Sequence, residues 1–149
     1  MKKILFTILI LIFGAVPSFA EEKLLIIYLY NKNSPYLKEI ENKIIKNKYL
    51  AKRIQKNFNF KKIQIGTQQA EDFVKKFKIK EKEGVYFIDF SAGEVLYSLT
   101  DLSKPCRCAN LINYFSRKLH KKNIDPDRYL YLAEKWGAYT RKVEKEYLF

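Results

Sequence analysis

The stretch that most constrains the fold runs from Leu24 to Glu41, where an apolar run leads directly into a helical pattern. Residues 24–30 (LLIIYLY) are apolar or aromatic, which together with their length is typical of a buried strand. Ser34 is a good N-cap, and Pro35 suits the first helical position because its missing N–H would be unpaired there in any case. The sequence therefore predicts a strand followed by a helix start at Ser34, a junction where several α/β folds place their chemistry.

Residues 1–20 have the features of a signal peptide. Two lysines precede an apolar run over residues 4–13, and residues 18–20 (SFA) form a small-residue cleavage motif. An apolar run of this length is a poor membrane span, and no second candidate follows in the sequence. We therefore expect an exported, periplasmic protein that starts at Glu21 and has no transmembrane segment after signal removal.

The formal net charge is +13 in a chain of 149 residues, which would suit an anionic partner. However, the basic residues are spread over the whole sequence, and no nucleic-acid recognition motif accompanies them. We interpret the charge as compositional and predict no nucleic-acid binding. A content of 48% apolar and 15% aromatic residues excludes a disordered chain, and the exported part is long enough for one domain.

The apolar spacing predicts an α/β fold with the element order β-α-α-β-α-β-β-α and a further C-terminal helix. A parallel βαβ unit followed by a ββα unit would place all the strands in one sheet. Strands are predicted over residues 24–30, 58–65, 85–90 and 94–99, and the later core helices over residues 68–77 and about 105–119.

The segment Ser34-Pro35-Tyr36-Leu37 resembles the Cys-Pro-Tyr-Cys active site of exported thioredoxin-like proteins, and it follows the same strand. Residues 57–60 (NFNF) lead into the second strand as in that family, and residues 73–79 (FVKKFKI) resemble the helix before its active-site loop. The resemblance implies a thioredoxin-like domain over residues 21–122, with a helical extension over residues 123–149.

The chain departs from the family at the positions that carry its chemistry. Disulfide exchange needs a thiolate at the helix N-terminus and a second Cys one turn later, but this chain has Ser34 and Leu37. A role for Ser34 in steadying a bound thiolate, as in glutathione transferases, is an alternative to a plain helix cap. Where the family has a cis-proline, Glu83 or Gly84 stands. The binding groove that the resemblance implies is lined by Ser34, Pro35, Tyr36, Glu83 and Gly84.

Cys106 and Cys108 are the two cysteines, separated by Arg107. Side chains two residues apart point in nearly opposite directions on a helix or a strand, so a disulfide would need a strained turn before the helix. In a thioredoxin fold this loop lies at the same end of the sheet as Ser34, so the pair could form a redox site or supply two ligands to Cu(I). The alternative is that Cys108 packs in the core above Ile112, while Cys106 is free or pairs with another chain.

The C-terminal region, from Asp125-Pro126 onward, predicts one long amphipathic helix to Tyr147. Its apolar stripe is expected to face the core, and a homodimer through residues 126–147 is the alternative. The single histidine, His120, is expected on the solvated surface, and Asp89 is expected to be partly buried, capping a backbone group or pairing with a lysine. The stripe consists of Tyr129, Leu132, Trp136, Tyr139, Val143 and Tyr147.

Together these features predict a binding or accessory protein that holds a polypeptide or a protein partner in the periplasm, without a cofactor. The alternative is an enzyme, a thiol-disulfide oxidoreductase that works through Cys106 and Cys108, or a Cu(I)-handling protein that uses the same pair. Binding is favoured over catalysis because the thiols of the family's usual site are missing.

Overall fold

The structure, a computed structural model, describes residues 22–136. The strands are β1 (Leu24–Tyr30), β2 (Phe58–Gln64), β3 (Gly84–Asp89) and β4 (Glu94–Leu99). They form one sheet with the order β2-β1-β3-β4, in which β1 and β2 are parallel and β3 is antiparallel to both of its neighbours. The predicted parallel unit followed by a hairpin is confirmed.

The helices pack on both faces of this sheet. Within the described range they are α1 (Leu37–Ile40), α2 (Lys48–Asn57), α3 (Gln68–Phe77), α4 (Pro105–Ser116) and α5 (Pro126–Lys135). Helix α1 continues as a π-helical turn, Glu41–Ile45, and a 3-10 turn, Leu119–Lys122, follows α4. The element order is the predicted one.

Alternate side chains of β1 contribute to two separate cores. Ile26 and Tyr28 pack with residues of α1, α2 and α4, whereas Ile27 and Leu29 pack with residues of α3. Each of the four is at most 2% exposed. A strand that is covered on both faces explains why the segment is apolar throughout instead of alternating.

Side-chain caps fix three helix starts. The side chains of Asn47, Thr67 and Asp125 each accept a backbone N–H from the first turn of α2, α3 and α5, respectively. Thr67 and Asp125 stand directly before the helices predicted from residue 68 and from Pro126, and Asn47 stands directly before α2. Local capping chemistry therefore sets these boundaries.

Helix α5 docks with a different face from the one predicted. Leu130 is 2% exposed, whereas Leu132 and Trp136, which the apolar stripe assigned to the core, are 39% and 50% exposed. Tyr129 is partly buried against the core, as expected. The remainder of the predicted helix, up to Tyr147, lies outside the described residues.

Two polar contacts set this rotation of α5. The Tyr97 hydroxyl donates to Asp127 at 2.7 Å, and Arg107 donates to Glu134 at 2.6 Å. These bonds hold both ends of the helix to β4 and α4, and Leu130 is then directed inward. Tertiary contacts, and not the apolar spacing of the sequence, thus decide which face of α5 is buried.

His120 is not the solvated residue that was predicted. Its ring lies 5.2 Å from the Phe115 ring, and its Nδ1 atom is buried without a hydrogen-bond partner among residues 22–136. The reason is that the 3-10 turn after α4 folds back over the end of that helix. Asp89, in contrast, accepts bonds from the Ser91 hydroxyl and the Ala92 N–H, which confirms its predicted capping role.

The predicted signal peptide, residues 1–20, lies outside the described residues. Among the helices of residues 22–136, none has both the length and the apolar character needed to cross a membrane.

Candidate functional site

The predicted groove residues lie at the edge of the sheet where β1 and β2 end and β3 begins. Tyr30 pairs with Gln64 across the parallel strands, and Leu29 pairs with Gly84. Strand β4 ends at the same edge. The segments that lead into α1 and α4 therefore leave the sheet on the same side.

Ser34 organises a turn, and α1 begins later than predicted. The Ser34 N–H donates to the Asn31 carbonyl at 3.0 Å, and the Ser34 hydroxyl accepts the Tyr36 N–H at 3.2 Å. Pro35 lies within this turn, and the helix starts at Leu37 without a side-chain cap. The prediction that Ser34 caps the helix and that Pro35 opens it is wrong, because the hydroxyl closes a local turn instead.

The turn is accessible to a ligand. Pro35 is exposed and Tyr36 is 37% exposed, whereas Leu37 is partly buried against the core, as predicted. The Pro35 and Tyr36 rings are thus exposed to solvent at the edge of the sheet. Ser34 itself is half-buried.

Gly84 occupies a position where no side chain has room. A Cβ atom built on it would lie 2.7 Å from the Leu99 carbonyl oxygen and 3.3 Å from the Thr100 Cα. The start of β3 is therefore in close contact with the end of β4. The residue before it, Glu83, brings a carboxylate to the place where the resemblance implies a cis-proline.

Two polar atoms near this edge are buried and have no hydrogen-bond partner within residues 22–136, namely the Tyr28 hydroxyl and Glu83 Oε1. Tyr28 is 0% exposed. Burial, followed by the negative charges of Glu83 and Glu41, raises the pKa of Tyr28 far above its usual range. The phenol therefore stays protonated and can act only as a neutral donor or acceptor.

An ion pair connects the π-helical turn to β2, the outermost strand on one side of the sheet. Lys62 Nζ donates to the Glu41 carboxylate and also lies 4.4 Å from the centre of the Tyr30 ring. The hydrogen bond from Lys62 lowers the pKa of Glu41. The Tyr30 hydroxyl donates to Gln64 at 3.4 Å. These contacts hold the last residue of β1 in place just before the Ser34 turn.

The two cysteines lie in the first turns of α4 and in different surroundings. Both are free thiols, with Cys106 exposed and Cys108 2% exposed. Burial raises the pKa of the Cys108 thiol to about 12. Cys108 belongs to the core cluster that includes Ile112, the arrangement in which it acts as a small apolar residue. The two side chains do not form one dithiol surface.

Arg107, which could have stabilised a thiolate, is occupied elsewhere. Its Nε atom donates to Glu134 Oε1 at 2.6 Å, and Lys104 Nζ lies 4.0 Å from the second oxygen of the same carboxylate. The hydrogen bond that Arg107 donates to Glu134 raises the pKa of Arg107. Part of the positive charge near Cys106 is thus balanced by α5.

The site offers donors, acceptors and exposed rings rather than a set of metal ligands. Within residues 22–136, no group of three or more His, Cys, Asp or Glu side chains is placed to hold a metal ion. Accessible groups at the edge are the Pro35 and Tyr36 rings and the partly buried Glu83.

Comparison with known proteins bears on the fold. No protein-family model and no curated protein matches the chain. The solution structure of a thioredoxin from Thermus thermophilus is similar, with a TM-score of 0.51 and 10% identity over 62% of this chain and 73% of that one. This chain has a thioredoxin-like fold. The C-terminal domain of Neisseria meningitidis DsbD in its oxidised form gives a TM-score of 0.48 and 15% identity, over 78% and 95% of the two chains.

Two features of this candidate site were not predicted from the sequence. No role was assigned to Tyr28, although a phenol in the middle of an otherwise aliphatic buried strand is a polar group that needs an explanation. The Glu41–Lys62 pair was also missed. No local pattern links residues 21 positions apart on a helix and a neighbouring strand, so this pair could not be found from spacing.

Proposed function

We propose that this thioredoxin-fold protein is a binding protein that holds a segment of polypeptide between the Ser34 turn and the start of β3. One observation carries the proposal: the edge of the sheet keeps an exposed Tyr36, while the two thiols of the chain lie apart on α4. A site that presents rings and a carboxylate without a dithiol is suited to holding a chain, not to exchanging disulfides with it.

The contacts at this edge agree with a pre-formed site. The Ser34 turn is closed by its own hydrogen bonds, and the Lys62 contacts hold the end of β1. A rigid site loses little conformational entropy when a ligand binds. An aromatic ring such as that of Tyr36 is the kind of side chain that contributes most to polypeptide recognition.

Chemical-shift mapping with reduced, alkylated α-lactalbumin as an unfolded probe tests this proposal. We expect the largest shifts at the amides of Tyr36, Glu83 and Gly84, and roughly tenfold weaker binding after Tyr36→Ala, a cost typical of one interface anchor. Tyr49→Ala is the matched control, because Tyr49 is 59% exposed at the start of α2. Equal losses in both variants, or shifts elsewhere only, would refute the site.

Thiol-disulfide exchange, or Cu(I) binding, through Cys106 and Cys108 is the alternative function. It requires both sulfur atoms on one surface, whereas Cys108 is 2% exposed and its pKa is about 12. An insulin-reduction assay separates the two functions. Turnover that disappears with Cys106→Ser would favour the enzyme, and absence of turnover in both redox directions would favour the binding protein.

Export to the periplasm is part of the proposal and rests on residues 1–20. N-terminal sequencing of the protein purified from a cell envelope fraction is the direct test. A start at Glu21 is expected, because cleavage follows small residues such as Ala20. An intact Met1 in cytosolic protein would contradict export.

A further inference from the structure

Glu83 is a carboxylate without a partner at the edge of the sheet where the Ser34 turn lies. Its Oε1 atom is buried and accepts no hydrogen bond from residues 22–136, and its side chain belongs to none of the ion pairs formed among them. The residue as a whole is only half-buried, so a ligand can reach the carboxylate from solvent. A charged oxygen that is withdrawn from water and left unpaired is destabilising. A donor from outside the chain would therefore be stabilising at this position.

The backbone that carries Glu83 is fixed through the two residues before it. The Gly66 N–H donates to Glu81 Oε1 at 3.0 Å, and the Tyr86 hydroxyl donates to the Lys82 carbonyl at 2.6 Å. These two bonds tie the segment to the end of β2 and to β3. A carboxylate on a fixed backbone loses little conformational entropy when it binds a donor.

Glu83 lies on the same face of the sheet as Tyr28. It stands two residues before Val85, which belongs to the core cluster of Tyr28, and alternate residues of an extended chain share a face. The Tyr28 hydroxyl is also buried and has no partner within residues 22–136. Burial and then the negative charge of Glu83 raise the pKa of Tyr28, so the two groups lie within electrostatic range of each other. Two neighbouring oxygen atoms on one face are thus left without a hydrogen-bond partner.

The negative charge of Glu83 is not balanced by the described part of the chain. Glu41, the other carboxylate that acts on Tyr28, is paired with Lys62. In a chain with 29 lysine and arginine residues against 16 aspartate and glutamate residues, a carboxylate has many possible partners. Because Glu83 pairs with none of them among residues 22–136, its charge is open to a cation from a ligand.

We propose that Glu83 receives a cationic side chain, lysine or arginine, of the polypeptide held at the Ser34 edge. The inference rests on the function proposed above and names the chemistry of the segment that the site selects. An ammonium or guanidinium group donates several hydrogen bonds and neutralises the carboxylate. The exposed Tyr36 ring at the same edge offers an apolar surface for the methylene groups of such a side chain.

Lysine acetylation of the unfolded probe tests this inference, because acetylation removes the positive charge of each lysine and leaves the rest of the chain unchanged. Titration calorimetry compares reduced, alkylated α-lactalbumin with its lysine-acetylated form. The unchanged protein should bind the acetylated form about tenfold more weakly, a loss typical of one hydrogen bond between charged groups. Net charge alone predicts the opposite result, since a protein with a formal charge of +13 attracts a more negative probe.

Glu83→Gln is the test variant, and Glu71→Gln, which changes an exposed carboxylate of α3, is the matched control. Glu83→Gln should bind the two forms of the probe with affinities within about twofold of each other, whereas Glu71→Gln should keep the difference of about tenfold. Because the Glu83 carboxylate has no partner within residues 22–136, Glu83→Gln should not lower the melting temperature. A drop of more than about 5 °C would show that the carboxylate has a partner in its own chain and would overturn the inference.

The inference and the proposed function fail in different ways. If the acetylated probe binds as tightly as the unmodified one or more tightly, or if Glu83→Gln keeps the difference between them, Glu83 does not receive a cation. Binding that still depends on Tyr36 would then support the site without this selectivity. If the unmodified probe does not bind at the Ser34 edge, the proposed function is wrong and the inference falls with it.

Discussion

Cys106 and Cys108 are separated by a single residue in the sequence, yet one thiol is exposed and the other lies in the core with Ile112. An α-helix turns by about 100° per residue, so the two side chains diverge by about 200°. A disulfide between them would require the first turns of α4 to unwind. This relationship disfavours a two-cysteine mechanism.

The first prediction concerns the reactivity of these thiols. With a thiol probe such as DTNB at pH 8, the native protein should release one equivalent rapidly from Cys106, and a second only on unfolding. The pKa of Cys108 is about 12 and its side chain is buried. The reagent therefore cannot reach this sulfur atom, and the thiol does not ionise at pH 8. Cys106→Ser should show no rapid release. Two rapid equivalents, or none before reduction, would contradict the placement of Cys108.

The second prediction concerns the close contact at the start of β3. Gly84→Ala should lower the free energy of unfolding by about 2 kcal/mol or more, since the new Cβ would lie 2.7 Å from the Leu99 carbonyl oxygen. Gly66→Ala is the comparison, because Gly66 has open space and only a left-handed φ of 86°. Its cost should be about 1 kcal/mol. Urea unfolding measures both, and a Gly84→Ala cost no larger than that of Gly66→Ala would mean that the Leu99 carbonyl shifts to make room for the new Cβ.

The third prediction concerns the single histidine. Burial and then the nearby Lys121 lower the pKa of His120 below the ordinary 6.5. The unfolded chain therefore takes up the proton first as the pH falls, so stability is lost below about pH 6.5 and regained above it. An NMR titration of the His120 ring should give a midpoint under 6.5, with no overlap from other histidines. A midpoint at or above 6.5 would show that the ring is solvated.

Local patterns in the sequence predict most of the fold. Helix α3 spans Gln68–Phe77 and β4 spans Glu94–Leu99, both as predicted, because capping and turn residues mark their ends within a few positions. The order of strands follows from the same signals. These features depend on neighbours in the chain, which a sequence displays directly.

Features that depend on distant neighbours could not be predicted. The apolar stripe of the last helix suggested that Trp136 is buried, but contacts of Asp127 and Glu134 with other elements turn that residue outward. The start of α1 is a different case, because a local contact decides it: the Ser34 hydroxyl closes a turn with the Tyr36 N–H, although the same residues were compatible with a helix cap. In each case two alternatives were compatible with the local sequence, and a tertiary or side-chain contact decided between them.

The last prediction tests whether the buried Tyr28 hydroxyl is unpaired. Tyr28→Phe should leave the free energy of unfolding unchanged or raise it by up to about 1 kcal/mol, because a buried hydroxyl without a partner contributes nothing that offsets its desolvation. Tyr114→Phe is the matched control: Tyr114 is 1% exposed, and its hydroxyl donates to the Ile124 carbonyl. That variant should lose about 1 kcal/mol. A comparable loss in both variants would show that the Tyr28 hydroxyl has a partner in solution.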